Sequence, residues 1–214
     1  MAKAVFFDFD GTLADTNLGI VKAYQETYRL MGMEIPDTER VTASIGLVLK
    51  DAVEAITPGL SKEKKELCMD LYRQSFPKVA YSVTKAFPGV LETLGELQKG
   101  GYRMSIATSR GHETLDRMAE MIGVRRFFDV MCGAEDVVNH KPSPDPVKFI
   151  LGRLGLNPEE VLVIGDATYD ILMGHAASCD ACGIAWGNMS KETLSTVAPE
   201  YLLDSISALK GILL

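Results

Sequence analysis

Ala4-Val5-Phe6-Phe7-Asp8-Phe9-Asp10-Gly11-Thr12 is the stretch that decides the fold. Four consecutive apolar residues make a short buried strand, of the kind found in parallel sheets covered on both faces. Two carboxylates one residue apart follow directly. Like charges that close raise one another's pKa or demand a cation between them. Gly11-Thr12 then turns the chain, leaving room at the strand end. Such an end can hold a metal and expose one carboxylate as a nucleophile. The same pentapeptide also fits a strand followed by a simple Asp-Gly turn with a solvated Asp8.

Three further segments weigh against the simple turn. Ser105-Ile106-Ala107-Thr108-Ser109 is a short strand ending in two hydroxyls. Lys141-Pro142-Ser143-Pro144-Asp145-Pro146 sets one cation in a loop stiffened by proline. Val161-Leu162-Val163-Ile164-Gly165-Asp166-Ala167-Thr168-Tyr169-Asp170 is another buried strand ending in two carboxylates. Strands are expected at Ala4–Phe7, Tyr102–Ala107, Asp129–Cys132, Val161–Ile164 and Ala181–Ala185, with Tyr201–Leu203 as an edge. Helical-period segments alternate with them: one from Pro88 carrying Leu91, Leu94 and Leu97 to Gly100-Gly101, one from Glu113, and one after Asp145. This alternation predicts an α/β fold, a doubly wound parallel sheet with helices on both faces. Residues 16–83 interrupt it with three helix-like segments, Leu18–Met31, Leu47–Ile56 and Lys62–Phe76. The expected architecture is therefore a Rossmann-like core (1–15 and 84–214) with an inserted all-helical cap (16–83), set directly after the first strand where it could close over a site.

The chain has 214 residues, 47% hydrophobic and 24% charged, enough for one domain plus an insertion. Its net charge of −7 and lack of a basic stripe argue against nucleic acid as a partner. No apolar run is long enough to span a bilayer, and a strand begins almost at the first residue, so a cytoplasmic protein with no membrane partner is expected, monomer or homodimer. Cys179 and Cys182 form a CxxC, but no second pair supplies the four ligands of a zinc site. Inert packing is the expected role.

Taken together, the four segments resemble motifs one to four of the haloacid dehalogenase superfamily, over Val5 to about Trp186. The layout is most similar to its phosphoglycolate phosphatase-like branch with a helical type-one cap. The resemblance implies a Mg²⁺-dependent phosphatase acting on a small-molecule phosphate ester. Asp8 would be the nucleophile and Asp10 the general acid/base, with dehalogenases and phosphonatases of the superfamily lacking a carboxylate at the second position. Thr108 and Ser109 would hold phosphoryl oxygens, and Lys141 would neutralise charge gathering between Asp8 and the phosphate. Arg110 stands where the family more often has Lys, a change of type with charge retained; it would serve the phosphate too or else be a solvated cation at a helix start. Mg²⁺ would be held by Asp8, the Asp10 carbonyl and Asp166, with Asp170 bonded to a metal-bound water; Asp170 could alternatively cap a helix. His140 beside Lys141 is expected to be packing or solvated. Cap residues Tyr24, Gly46–Leu49 and Arg73 would face the site. Ile45-Gly46-Leu47-Val48-Leu49-Lys50 is apolar where sugar phosphomutases of the β-phosphoglucomutase kind carry an Arg, so a phosphatase is favoured over a mutase, although Lys50 or Arg40 could supply the charge. An inorganic pyrophosphatase and a non-catalytic binding protein on the same scaffold complete the alternatives.

Overall fold

The computed structural model describes residues 3–214, so the first two residues of the 1–15 stretch assigned to the core lie outside it. Its strands are β1 Ala4–Phe7, β2 Ala14–Asp15, β3 Lys85–Ala86, β4 Arg103–Ala107, β5 Val130–Cys132, β6 Val161–Gly165, β7 Asp180–Ile184 and β8 Tyr201–Leu203. Its α-helices are α1 Asn17–Leu30, α2 Thr38–Ala43, α3 Leu49–Ile56, α4 Lys62–Ala80, α5 Val90–Lys99, α6 His112–Met121, α7 Asp145–Leu154, α8 Thr168–Ala176, α9 Lys191–Ser195 and α10 Lys210–Leu213.

Six strands form one parallel sheet in the order β5-β4-β1-β6-β7-β8. β1 lies in the middle, and its apolar run is divided between two cores. Val5 and Phe7 pack into the cluster that extends to α1, α3 and α4, whereas Ala4 and Phe6 face the opposite side with Val147, Ile150 and Met173. A strand buried on both faces needs no polar alternation, which is why the sequence there is continuously apolar. After β5 the chain returns to β6 on the other side of β1. At such a reversal, neighbouring loops diverge and leave a crevice at the carboxyl ends of the strands.

The excursion after β1 begins and ends at a two-stranded antiparallel ladder. Ala14 pairs with Ala86 and Asp15 with Lys85, so both crossings to the helical segment are tied side by side. This ladder was not anticipated, because two-residue strands carry no periodicity. Helix α2 was also unanticipated. It is a six-residue helix capped by Asp37, whose side chain accepts the Arg40 N–H at 2.7 Å. Helix α4 runs through Pro77 to Ala80 rather than stopping at Phe76. Proline removes one helical hydrogen bond there, but the added turn places Ala80 against Gly19 of α1, where a Cβ on Gly19 would lie 2.8 Å from that of Ala80. Close helix packing outweighs the missing bond. Pro88, expected in the first turn of α5, instead precedes the N-cap Gly89, which adopts φ 81°.

Candidate active site

Register brings the strand ends level. Phe7 pairs with Ile106 on one side and with Ile164 on the other, so Asp8, Thr108 and Asp166 emerge from adjacent strands on one edge of the sheet. The Asp8 N–H donates to the Ile164 carbonyl at 2.8 Å, carrying the ladder one residue beyond β1. Gly11 then adopts φ +78°, and a Cβ there would sit 2.1 Å from Asp166 Oδ2. Only glycine allows the turn to press this closely on a carboxylate.

Lys141 reaches into the cluster from the loop before α7. Its Nζ donates to Asp8 Oδ1 at 2.7 Å and to Asp170 Oδ1 at 2.6 Å, with all three side chains at most 4% exposed. Burial alone would lower the lysine pKa, but Asp170 and Asp8 more than offset it and hold the ammonium above its usual value. Asp170 is neither exposed nor the N-cap of α8. It lies in the first turn, where its Oδ2 accepts the Ala167 N–H at 3.1 Å while Oδ1 holds Lys141.

Asp166 is 1% exposed and fully engaged. Oδ1 accepts from the Thr12 hydroxyl at 3.0 Å, and Oδ2 accepts from the Asn188 N–H and Nδ2 at 2.7 and 2.6 Å. Trp186 Nε1 donates to the Thr12 carbonyl at 3.2 Å, so the loop after β7 fastens both the turn and the carboxylate. Thr12, Trp186 and Asn188 were missed as supports, although Thr12 belongs to the first motif and Trp186-Gly187-Asn188 follows a strand beside β6.

Carboxylate oxygens of Asp8, Asp166 and Asp170 lie within 4.8 Å of one another. Burial pushes the Asp8 carboxyl up to about 8 against the downward pull of Lys141, and the neighbouring charges of Asp170, Asp166 and Asp10 raise it further. Burial, then Asp170, lifts Asp166 to about 7 against the hydrogen bonds from Asn188 and Thr12. One lysine cannot neutralise three buried carboxylates, and a donor set made only of hard oxygens suits a divalent cation. These residues therefore fit a metal.

Above the cluster opens a cavity of about 230 Å³ between the strand ends and the helices inserted after β2. Asp8, Asp10, Thr108, Ser109 and Arg110 form its floor, and Tyr24, Gly46, Leu47, Leu49 and Arg73 contribute to its walls. The Ser109 hydroxyl is buried without a hydrogen-bond partner among the described residues. The Thr108 hydroxyl oxygen accepts the Arg110 N–H at 3.3 Å, leaving its proton to donate. Tyr72 and Phe76 also line the cavity; the reading of Lys62–Phe76 as a helix-like segment did not show which face met the site. Arg40 and Lys50 are exposed and do not line it. His140 is half-buried beside the site, and its main-chain carbonyl accepts the Ser143 N–H. Cys179 and Cys182 are buried free thiols whose pKa burial pushes up to about 12, the behaviour of packed rather than reactive sulfur.

A family model described as haloacid dehalogenase-like hydrolase matches residues 5–184. The pyrophosphatase PpaX of Bacillus velezensis is 33% identical over 206 residues, covering 96% of this chain and 94% of that protein. The crystal structure of a Bacteroides fragilis protein described as haloacid dehalogenase-like has a TM-score of 0.93 at 27% identity, covering 98% of this chain and 100% of that one. A Haemophilus somnus protein described as a predicted phosphoglycolate phosphatase shares the fold, with a TM-score of 0.91 at 21% identity over 99% of this chain and 97% of that one.

Proposed function

The chain belongs to the haloacid dehalogenase-like hydrolases, and we propose that it is a Mg²⁺-dependent phosphatase that passes a phosphoryl group from a small phosphate substrate to Asp8 and then to water. One observation carries this reading: Lys141 bonds Asp8 at 2.7 Å within a buried carboxylate cluster, beneath a cavity lined by Thr108, Ser109 and Asp10. Asp8, Asp166 and the Asp10 carbonyl would hold Mg²⁺, with Asp170 behind them securing Lys141. When bound, the ion supplies positive charge that ionises Asp8 and draws the phosphoryl oxygens in.

The chain's own residues then divide the work. Thr108 and Ser109 donate to phosphoryl oxygens, and Lys141 offsets the charge gathering between them and Asp8. An Asp8 oxygen attacks phosphorus in line as the bond to the leaving oxygen breaks, and Asp10 gives that oxygen a proton. Water then attacks phosphorus of the aspartyl-phosphate, Asp10 accepts its proton, and inorganic phosphate departs. Residues 16–83 act as the cap, whose helices wall the cavity and limit bulk water. The likeness to PpaX favours inorganic pyrophosphate as a second substrate reading. Four buried free thiols suit a reducing compartment, which supports a cytoplasmic enzyme.

Replacing Asp8 by Asn keeps the shape and removes the nucleophile. Asp8→Asn is expected to fold, by circular dichroism, and to release no phosphate from p-nitrophenyl phosphate with Mg²⁺. Turnover near the parent rate by a folded variant defeats the covalent mechanism.

A further inference from the structure

Asp10 is held in a way that conflicts with its task. Arg110 grips it with both arms of the guanidinium: Nη2 lies 2.6 Å from Oδ1 and Nε 2.9 Å from Oδ2. The two side chains are 8% and 12% exposed. Fork-to-fork pairs of this kind are strong and directional. With each oxygen accepting from the guanidinium, Asp10 is aimed by Arg110 and not by a leaving oxygen or a water. Yet both residues line the cavity where the leaving group must sit.

Arg110 is itself fixed from the other sides. Its guanidinium carbon lies 4.6 Å from the centroid of the Phe76 ring on α4, and Nη1 donates to the Thr114 hydroxyl at 3.3 Å. The fork would therefore keep its position if Asp10 left it. Among the described residues lining the cavity, the other cation is Arg73, which is exposed and paired with Asp70 at 2.9 Å. The walls near Ile45, Leu47 and Leu49 are apolar, and the acidic residues Glu113 and Glu135 line the cavity too.

We propose that Arg110 is the receptor for a second anionic group on the substrate, and that Asp10 occupies that receptor in the free protein. A carboxylate or terminal phosphoryl group on the leaving portion presents the same two-oxygen edge as Asp10. It takes Asp10's place on the guanidinium and so releases Asp10 to serve the leaving oxygen. No covalent bond changes in this exchange; one carboxylate–guanidinium pair is traded for another. The substrate class follows: small phosphate compounds whose departing part carries its own anion, excluding neutral alkyl phosphates. The inference rests on the phosphatase reading above and adds to it a coupling between substrate charge and release of the acid/base.

The experiment compares kcat/KM for inorganic pyrophosphate, 2-phosphoglycolate and ethyl phosphate at saturating Mg²⁺ in the parent, Arg110→Met and Arg110→Lys. Pyrophosphate and phosphoglycolate separate a phosphoryl from a carboxylate anion, and ethyl phosphate has neither. The parent is expected to favour at least one anionic substrate over ethyl phosphate by about 100-fold, since a buried polar site rejects an analogue lacking its partner. Arg110→Met, which retains a flat apolar contact on Phe76, is expected to lose at least about 30-fold of that preference. Arg110→Lys keeps charge without the fork and is expected to retain only part of it; if Arg110→Met does not fold, Arg110→Lys alone decides. Equal losses on all three substrates, or a parent with no preference, overturn the exchange while leaving the phosphatase reading intact. A parent inert on all three overturns the phosphatase reading, and the exchange with it.

Discussion

Lys141 illustrates how much of this site depends on a single charge. Its ammonium is buried with two carboxylates at 2.6 and 2.7 Å, and each partner leaves the other uncompensated if removed. Taking one member from a buried pair commonly costs about 3–5 kcal/mol, far more than an exposed pair contributes. Lys141→Met is therefore expected to lower the unfolding free energy of the metal-free protein, measured by urea denaturation, by an amount of that order. Its phosphate release should also fall by about 10²–10³-fold, as for loss of one oriented donor to developing charge. A variant as stable and as active as the parent would assign Lys141 to mere packing. Asp170 shows the same economy of position. One carboxylate accepts the Ala167 N–H in the first turn of α8 and holds the lysine, so Asp170 supports the helix start from within the helix and not as its N-cap.

Among the elements, α1 and α4 make the closest helix pair in the inserted segment, and Gly19 sets their spacing. A Cβ on Gly19 would come within 3.0 Å of the Ala80 Cα as well as 2.8 Å of its Cβ, so a larger residue must push the helices apart. Gly19→Val is expected to destabilise the protein by about 1–3 kcal/mol through overpacking. Gly95 in α5 is the control. An added Cβ there meets no heavy atom within 4 Å, and Gly95→Ala should raise stability by up to about 1 kcal/mol from helix propensity alone. Both are measured as denaturation midpoints, and a destabilised Gly95→Ala beside an unaffected Gly19→Val reverses the packing argument. The β2–β3 ladder belongs to the same scale: it ties the two crossings to the helices next to Asp10, whose backbone bridges to Ala14.

For the molecule as a whole, the carboxylate cluster links protons and stability to the proposed metal. Asp8 and Asp166 titrate near 8 and 7 in the metal-free fold, against about 3.9 for an unfolded aspartate. A carboxyl whose folded pKa is raised contributes stability that is fully present below its unfolded pKa and is lost progressively as pH rises through the folded value. The metal-free protein should therefore weaken between about pH 4 and pH 8. Mg²⁺ competes with those protons, so the rise in Tm on adding Mg²⁺ is expected to grow from pH 6 to pH 9; a rise independent of pH would place the ion elsewhere. Much of this architecture was legible in the chain itself. Continuous apolar runs, such as Val5–Phe7 and Val161–Ile164, dictate strands buried on both faces, and the chemistry-bearing residues follow those runs because a strand end is where a buried chain can first present a polar group. The Asp10–Arg110 clamp, the Asn188 and Thr12 bonds to Asp166, and the α4 face with Tyr72 and Phe76 were decided only in three dimensions. Local sequence sets periodicity and turn, but partners 22 to 154 residues apart along the chain meet only through sheet order and register, which no single segment encodes.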